Sequence, residues 1–246
     1  AFAGMTLIVA TNAFAADEVK ITPVTVGSGH FLAENCTPEA DPKLMNECLC
    51  KADIVKAQVS GLPTKAATTI NNQLSQVPER LANESCSGKT ASAPEGTVQV
   101  NTASANYETL YQSPTILSML INFSTSNAGA AHPTPGSEGY VFTLADGKTL
   151  DIASRLTPEQ LTKVNETITQ ELRKKYADVM LEEAKNRTTP YVTDAGCDGC
   201  SIYYTKEGWI ARFSVYSVAP YAVGEPTITI PTTIIPEPET LIARKK

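Results

Sequence analysis

The chain has 246 residues, 42% of them hydrophobic, with 20 basic and 26 acidic side chains and a formal net charge of −6. This hydrophobic content supports a folded core, and the length suits one large domain or two small ones. The acidic balance argues against nucleic acid or an anionic membrane surface as partner, because both attract basic proteins.

Phe2 to Ala15 is mostly apolar or small, with Met5, Leu7, Ile8, Val9 and Ala10 at its centre. It closes on Ala13-Phe14-Ala15, a small-x-small site of the kind signal peptidase cuts. The run is shorter than the ~20 residues a membrane helix needs, and Thr6, Thr11 and Asn12 interrupt it. Residues 1–15 are therefore expected to be a signal peptide cleaved after Ala15. It is expected to be trimmed at its start, because the chain begins with Ala1 and has no basic leading segment. The alternative is a buried core helix. No later segment has the length and apolarity of a transmembrane helix, so the mature chain is expected to be periplasmic or secreted.

Six cysteines, an even number in an exported chain, imply disulfides. Cys197 and Cys200 are expected to pair with each other. A Cys48–Cys50 bridge would be strained, because side chains two apart on a strand leave Cα atoms that are too distant. Cys36 is then expected to pair with Cys48 or Cys50, and Cys86 with the other.

Residues 17–35 look extended and polar, and Thr37 to Asn46 reads as a loop broken by Pro38 and Asp41-Pro42. Asp53 to Val59 reads as a strand ending at Ser60-Gly61-Leu62-Pro63. Ala66, Ile70, Leu74, Val77 and Leu81 then keep helical spacing, which predicts a helix over about 64–82 that Pro78 should end or kink. Ser85 to Gly96 has linker composition. Val98, Val100, Tyr107, Thr109 and Tyr111 alternate as strands do, and the apolar run Ile116–Ser124 fits a central strand. Asn127 to Gly139 reads as a long loop. Tyr140–Leu144 and Thr149–Ile152 flank Asp146-Gly147, a hairpin signal.

Thr157-Pro158-Glu159-Gln160 is a capping box with proline at the first helical position. The stripe Leu161, Val164, Ile168, Leu172, Tyr176 and Val179 predicts one long helix over about 157–185. Ser201–Thr205, Trp209–Val218 and Thr227–Ile230 read as strands, and 236–246 as a loose polar tail. Two runs of strands, each with a helix and joined mostly by hairpins, define an α+β fold with mainly antiparallel sheet.

No catalytic constellation stands out. Only two histidines exist, His30 and His132, so a Ser/His/Asp or Cys/His site must use one of them. No Gly-x-Ser-x-Gly elbow or phosphate-cradling glycine loop occurs, and no cofactor or metal is expected. Cys197-Asp198-Gly199-Cys200 could be a redox pair, which needs a helix N-terminus to stabilise the thiolate. The strand-like Ser201-Ile202-Tyr203-Tyr204 that follows favours a structural disulfide loop. His132-Pro133 lies in a Gly/Ala/Pro loop, where a structural histidine is the simpler reading. Trp209, Tyr203, Tyr204 and Tyr216 are expected in the core or half-buried on the sheet.

Gly129-Ala130-Ala131-His132-Pro133 resembles the Gly-Gly-Ala-His-Pro motif of the RsiV-like domain family, found in the anti-sigma factor RsiV and the peptidoglycan deacetylase PdaC. Ser60-Gly61-Leu62 with Ile70-Asn71, Tyr140–Leu144 with Asp146-Gly147-Lys148, Val218-Ala219-Pro220-Tyr221-Ala222-Val223-Gly224 and Ile228–Pro231 are similar to further family segments, in consistent order over roughly 50–235. Ala130 stands where the motif has its second glycine, and the four N-terminal cysteines lie outside the pattern. The linker composition ending at Gly96 is expected to divide the mature chain into an N-terminal cysteine-containing part (16–96), an RsiV-like C-terminal part (97–235) and the tail (236–246). The resemblance implies a non-catalytic envelope-binding module whose partner is a lysozyme-like protein or peptidoglycan; it assigns no contact residues here, and His132 and Tyr221 are the candidate binding residues this sequence offers. Two other readings compete with it: a hydrolase using His132 with Ser126 or Ser137, and a thiol–disulfide redox protein using Cys197 and Cys200.

Overall fold

A computed structural model describes residues 19–32, 49–84, 101–127 and 130–243. The expected signal peptide, Cys36, Cys48, Cys86, Gly129 and the 85–96 linker lie outside these described residues. The first sheet has five strands in the order β1-β2-β3-β4-β5. They are β1 (Lys20–Leu32), β2 (Leu49–Ser60), β3 (Asn101–Gln112), β4 (Ile116–Ser126) and β5 (Thr134–Thr143). Only the β2–β3 pair is parallel, Cys50 facing Asn101 and Ile54 facing Ala105, because helix α1 (Thr64–Glu84) lies between them in the chain. Strands from both sides of residue 96 thus share one sheet.

β4 accounts for the layering. Its residues from Ile116 to Ile121 are all buried, and successive side chains leave opposite faces of a strand. Leu117, Met119 and Ile121 pack with α1 residues Ile70, Leu74, Val77 and Leu81 on one face. Ile116 and Leu120 pack on the other face against Val164, Ile168 and Leu172 of helix α2 (Pro158–Tyr176) and against Trp209, Phe213, Ile228 and Ile230. The latter four belong to a second, antiparallel sheet, β10-β9-β8. Its strands are β8 (Cys200–Thr205), β9 (Gly208–Phe213) and β10 (Thr227–Ile230). The fold is α+β with mostly antiparallel sheet.

Two asparagines dock the helices by the same device. The Asn71 amide accepts from the Val59 N–H at 2.7 Å and donates to the Val59 carbonyl at 2.9 Å. Asn165 of α2 does the same with Val192, at 2.8 and 3.0 Å, in the short strand β6 (Val192–Thr193), which pairs with β7 (Gly196–Cys197). An amide side chain can replace a missing strand neighbour because it carries one donor and one acceptor in the right geometry. This is the physical content of the Ile70-Asn71 pair: Ile70 fills the core while Asn71 binds the strand backbone.

Several expectations differ from what the fold shows. The helix expected over 157–185 stops at Tyr176, and a separate short helix, α3, spans Glu182–Lys185. Val179, read as part of the apolar stripe, is 43% exposed. Met180 turns inward instead, and the Leu181 N–H bonds the Val218 carbonyl at 2.9 Å. The α1 helix, expected to be the shorter, runs through Pro78 to Glu84. Val77, Pro78 and Leu81 are buried against the sheet, and that burial outweighs the one hydrogen bond a proline removes. Thr134 to Gly139, read as loop, is the first half of β5. The Asp146-Gly147 turn closes a hairpin reduced to one bridge, Phe142 to Thr149. The chain then enters a 3-10 turn at Ala153–Arg155. The tail expected to be loose is packed: helix α4 (Pro238–Ala243) buries Leu241, and its Glu239 carboxylate accepts from Ser113 at 2.7 Å and Tyr111 at 3.1 Å.

Candidate functional site

Residues 130–134 and 214–224 contain no charged side chain, in a chain with 46 of them (20 basic plus 26 acidic). The fold brings these two stretches together. His132 precedes β5, Tyr216 sits in the turn after β9, and Tyr221 opens a 3-10 turn that ends at Gly224, whose φ is 77°. The His132 and Tyr221 rings stack at 3.6 Å between centroids, with 20° between planes. Tyr216 lies 5.9 Å from Tyr221 and 6.5 Å from His132, tilted about equally to both.

Hydrogen bonds fix the group. The Tyr221 hydroxyl donates to the Pro133 carbonyl at 2.8 Å. His132 Nδ1 lies 3.2 Å from that same carbonyl, and His132 Nε2 lies 3.3 Å from the Tyr216 hydroxyl. One tautomer satisfies both contacts, with Nδ1–H donating to Pro133 and Nε2 accepting from Tyr216.

Tyr216 departs from the sequence expectation. It is 53% exposed instead of packed. It is also the one non-glycine residue with positive φ among the described residues, at 65°. Residues 214–218 were read as the continuation of β9, but the strand stops at Phe213. Ser217 N–H turns back to the Ser214 carbonyl at 3.1 Å. The left-handed region is unfavourable for a bulky side chain, and such strain concentrates at functional sites. We therefore expect Tyr216→Gly to leave stability unchanged or raise it by up to about 1 kcal/mol. Urea denaturation checks this; a clear loss of stability would mean that the ring stabilises the fold.

Two structures support the turn from behind. The first is the Cys197–Cys200 disulfide, which joins β7 to β8 with Cα atoms 5.3 Å apart. Inside it, Gly199 adopts φ of 70° and its carbonyl accepts from the Ser214 N–H at 3.0 Å. A Cβ at Gly199 would lie 3.1 Å from Ser217 Cβ. The pair thus sits in a hairpin, not at a helix N-terminus. Cys50 is also disulfide-bonded, and its partner lies outside the described residues.

The second support is a polar cluster that joins the segments carrying the rings. Glu225 accepts from Ser137 Oγ through Oε1 and from Arg212 through Oε2, both at 2.7 Å. Burial works against the Arg212 charge, but the Glu225 hydrogen bond and negative charge overcome it and hold the guanidinium above its ordinary value. Burial pushes the Tyr203 phenol up, opposed by its hydrogen bond to Arg212. Ser201 Oγ adds a 3.3 Å bond to the Ser137 carbonyl.

Of the residues singled out from sequence, His132 and Tyr221 meet. The Ser137 hydroxyl is directed to Glu225, and Ser126 ends β4. From sequence, Tyr216 reads as a core or half-buried sheet residue rather than part of a ligand-stacking platform, and Glu225 is not singled out. The available signal was the charge-free stretch 214–224, which has the composition of a strand until its turn is seen. Elsewhere, an open groove of about 750 Å³ runs between α2 and residues 187–194, lined by Leu161, Glu166, Gln170, Arg173, Thr188 and Asp194 among others. It shares no residue with the aromatic face. Among the described residues no cluster of three or more His, Cys, Asp or Glu is placed to hold a metal, and no helix is long and apolar enough to cross a membrane.

This arrangement of a mixed five-stranded sheet between a helix and a second sheet is shared with two solved bacterial structures. A DUF3298 family protein from Bacteroides fragilis aligns with a TM-score of 0.60 at 15% identity, covering 89% of this chain and 92% of its own. One from Pseudomonas aeruginosa aligns with a TM-score of 0.52 at 15% identity, covering 89% and 93%. Residues 155–233 match the family model DUF3298, described as a protein of unknown function. That stretch contains Tyr216, Tyr221 and Glu225 but not His132. No curated protein matches the chain.

Proposed function

We propose that the chain is an exported, non-catalytic binding module of the RsiV-like type, and that it engages a cell-envelope partner through the His132, Tyr216 and Tyr221 face. One observation carries the reading. Two of the segments that resemble that family, around His132-Pro133 and Ala219-Pro220-Tyr221, meet at one charge-free aromatic surface on which Tyr216 is exposed and His132 and Tyr221 are half-buried. Aromatic rings partly open to solvent, with both tyrosine hydroxyls already engaged, suit neutral, flat ligand faces. Among envelope components that favours the sugar rings of peptidoglycan. The net charge of −6 keeps a basic lysozyme-like protein as the second reading. The Cys197–Cys200 disulfide fits a periplasmic or secreted location.

The hydrolase reading gains no hydrogen bond between His132 and Ser137, since Ser137 donates to Glu225. The redox reading gains no helix N-terminus at Cys197.

Sedimentation with purified peptidoglycan and pull-down with lysozyme test the proposal, each with wild type and Tyr221→Ala. Removing a stacked aromatic anchor is expected to weaken binding by about 30-fold, a loss of about 2 kcal/mol. Because the face is uncharged, peptidoglycan binding through it should change little between low and physiological salt. Binding to neither probe, or equal binding by the variant, would overturn the proposal.

A further inference from the structure

We propose that Glu225 is a positioning residue for this face: its carboxylate sets where Tyr221 and Tyr216 stand against His132. The inference rests on the reading of the aromatic face as the binding surface.

Glu225 follows Gly224 directly, at the end of the turn that carries Tyr221. One oxygen takes the Ser137 hydroxyl, on the strand that begins just after His132-Pro133. The other takes Arg212 on β9, four residues before Tyr216. A single carboxylate therefore joins the three segments that carry the three rings. Its side chain is only 8% exposed, and that of Arg212 25%. Ser201 and Tyr203 of β8 complete the surroundings, through the Ser137 carbonyl and the Arg212 guanidinium.

A buried ion pair contributes little net stability, because desolvation of the two charges offsets their attraction, and well-packed apolar residues serve stability as well or better. What the pair supplies is directional geometry. Two charge-assisted hydrogen bonds at fixed angles add to the bonds that already join these segments, Phe213 N–H to the Pro226 carbonyl and the Tyr221 hydroxyl to the Pro133 carbonyl, and among the described residues they alone link β5, β9 and the residue after Gly224 at one point.

The test is proton NMR of the full chain carrying Glu225→Gln, with Ser137→Ala as a milder second variant. His132 is one of only two histidines, and Trp209 is the single tryptophan. The His132 ring protons report the stack on Tyr221 through its ring current, and the Trp209 indole proton reports the core. Glu225→Gln is expected to move the His132 ring signals downfield toward those of a free histidine while the indole signal stays in place. Peptidoglycan binding should fall at least about tenfold. Unchanged His132 signals overturn the proposal, as does an equal displacement of the indole signal, which would mark a global effect. If Glu225→Gln does not fold, the same two signals are read in Ser137→Ala, where a His132 shift supports the proposal and its absence overturns it. A His132 shift in Glu225→Gln, where the wild-type protein binds neither peptidoglycan nor lysozyme, upholds the positioning role and removes the binding reading alone.

Discussion

Trp209→Ala is expected to destabilise the protein by about 3–5 kcal/mol, the range for deleting a large buried aromatic. Trp209 is 0% exposed at the junction of the two sheets. Its ring meets Tyr204 edge-on at 5.1 Å, and Tyr204 in turn meets Tyr111 of the first sheet edge-on at 4.9 Å. Its indole N–H donates to the Pro236 carbonyl at 2.9 Å. Alanine would leave a cavity between the sheets and an unpaired carbonyl at the start of the segment leading to α4. Trp209→Phe keeps most of the apolar contact and loses the hydrogen bond, so about 1–2 kcal/mol is expected. Because no other tryptophan exists, urea denaturation should be followed by circular dichroism. A loss below about 1 kcal/mol for alanine would mean that the sheet junction closes over the gap.

Gly147→Ala carries the second large effect. Gly147 has φ of 74°, and an added Cβ would lie 2.3 Å from the Ala66 carbonyl oxygen and 3.0 Å from its Cα. Those atoms belong to the first turns of α1, so no side chain can swing aside. A left-handed residue with a Cβ costs about 1–2 kcal/mol, and forced displacement of packed backbone adds about 1–3 kcal/mol. The sum expected is about 2–5 kcal/mol. Gly196→Ala is the control, because Gly196 has φ of 111° but nothing within 4 Å of its added Cβ. It should show the conformational part alone. Equal losses for both variants in thermal denaturation would mean that the contact with α1 adds nothing.

Gly147 also shows how sequence and structure divide the information. Asp146-Gly147 between apolar runs is legible as a turn because the pattern is local. The approach of Ala66, some eighty positions away in the chain, is not. The same division holds at the candidate site. His132 and Tyr221 could be named from motifs, but their stacking at 3.6 Å depends on strand order and on the cluster around Glu225. Tyr216 was misplaced because Trp209 to Val218 keeps strand-like composition past the point where the chain turns.

The sequence by itself determined the elements whose causes are short-range. The capping box placed the start of α2 at Thr157, the 3.6-residue stripe defined α1, and the apolar run from Ile116 marked a strand buried on both faces. Only the tertiary structure decided where those patterns stop and what they meet. The α2 helix stops at Tyr176, where Val179 N–H turns back to the Tyr176 carbonyl and Leu181 N–H goes on to Val218, whereas Pro78 is buried within α1 and the helix runs on past it. Tyr216 faces solvent because the chain turns after Phe213. Periodicity records which side of an element is apolar, whereas termini, exposure and the joining of distant loops follow from contacts the local sequence does not contain.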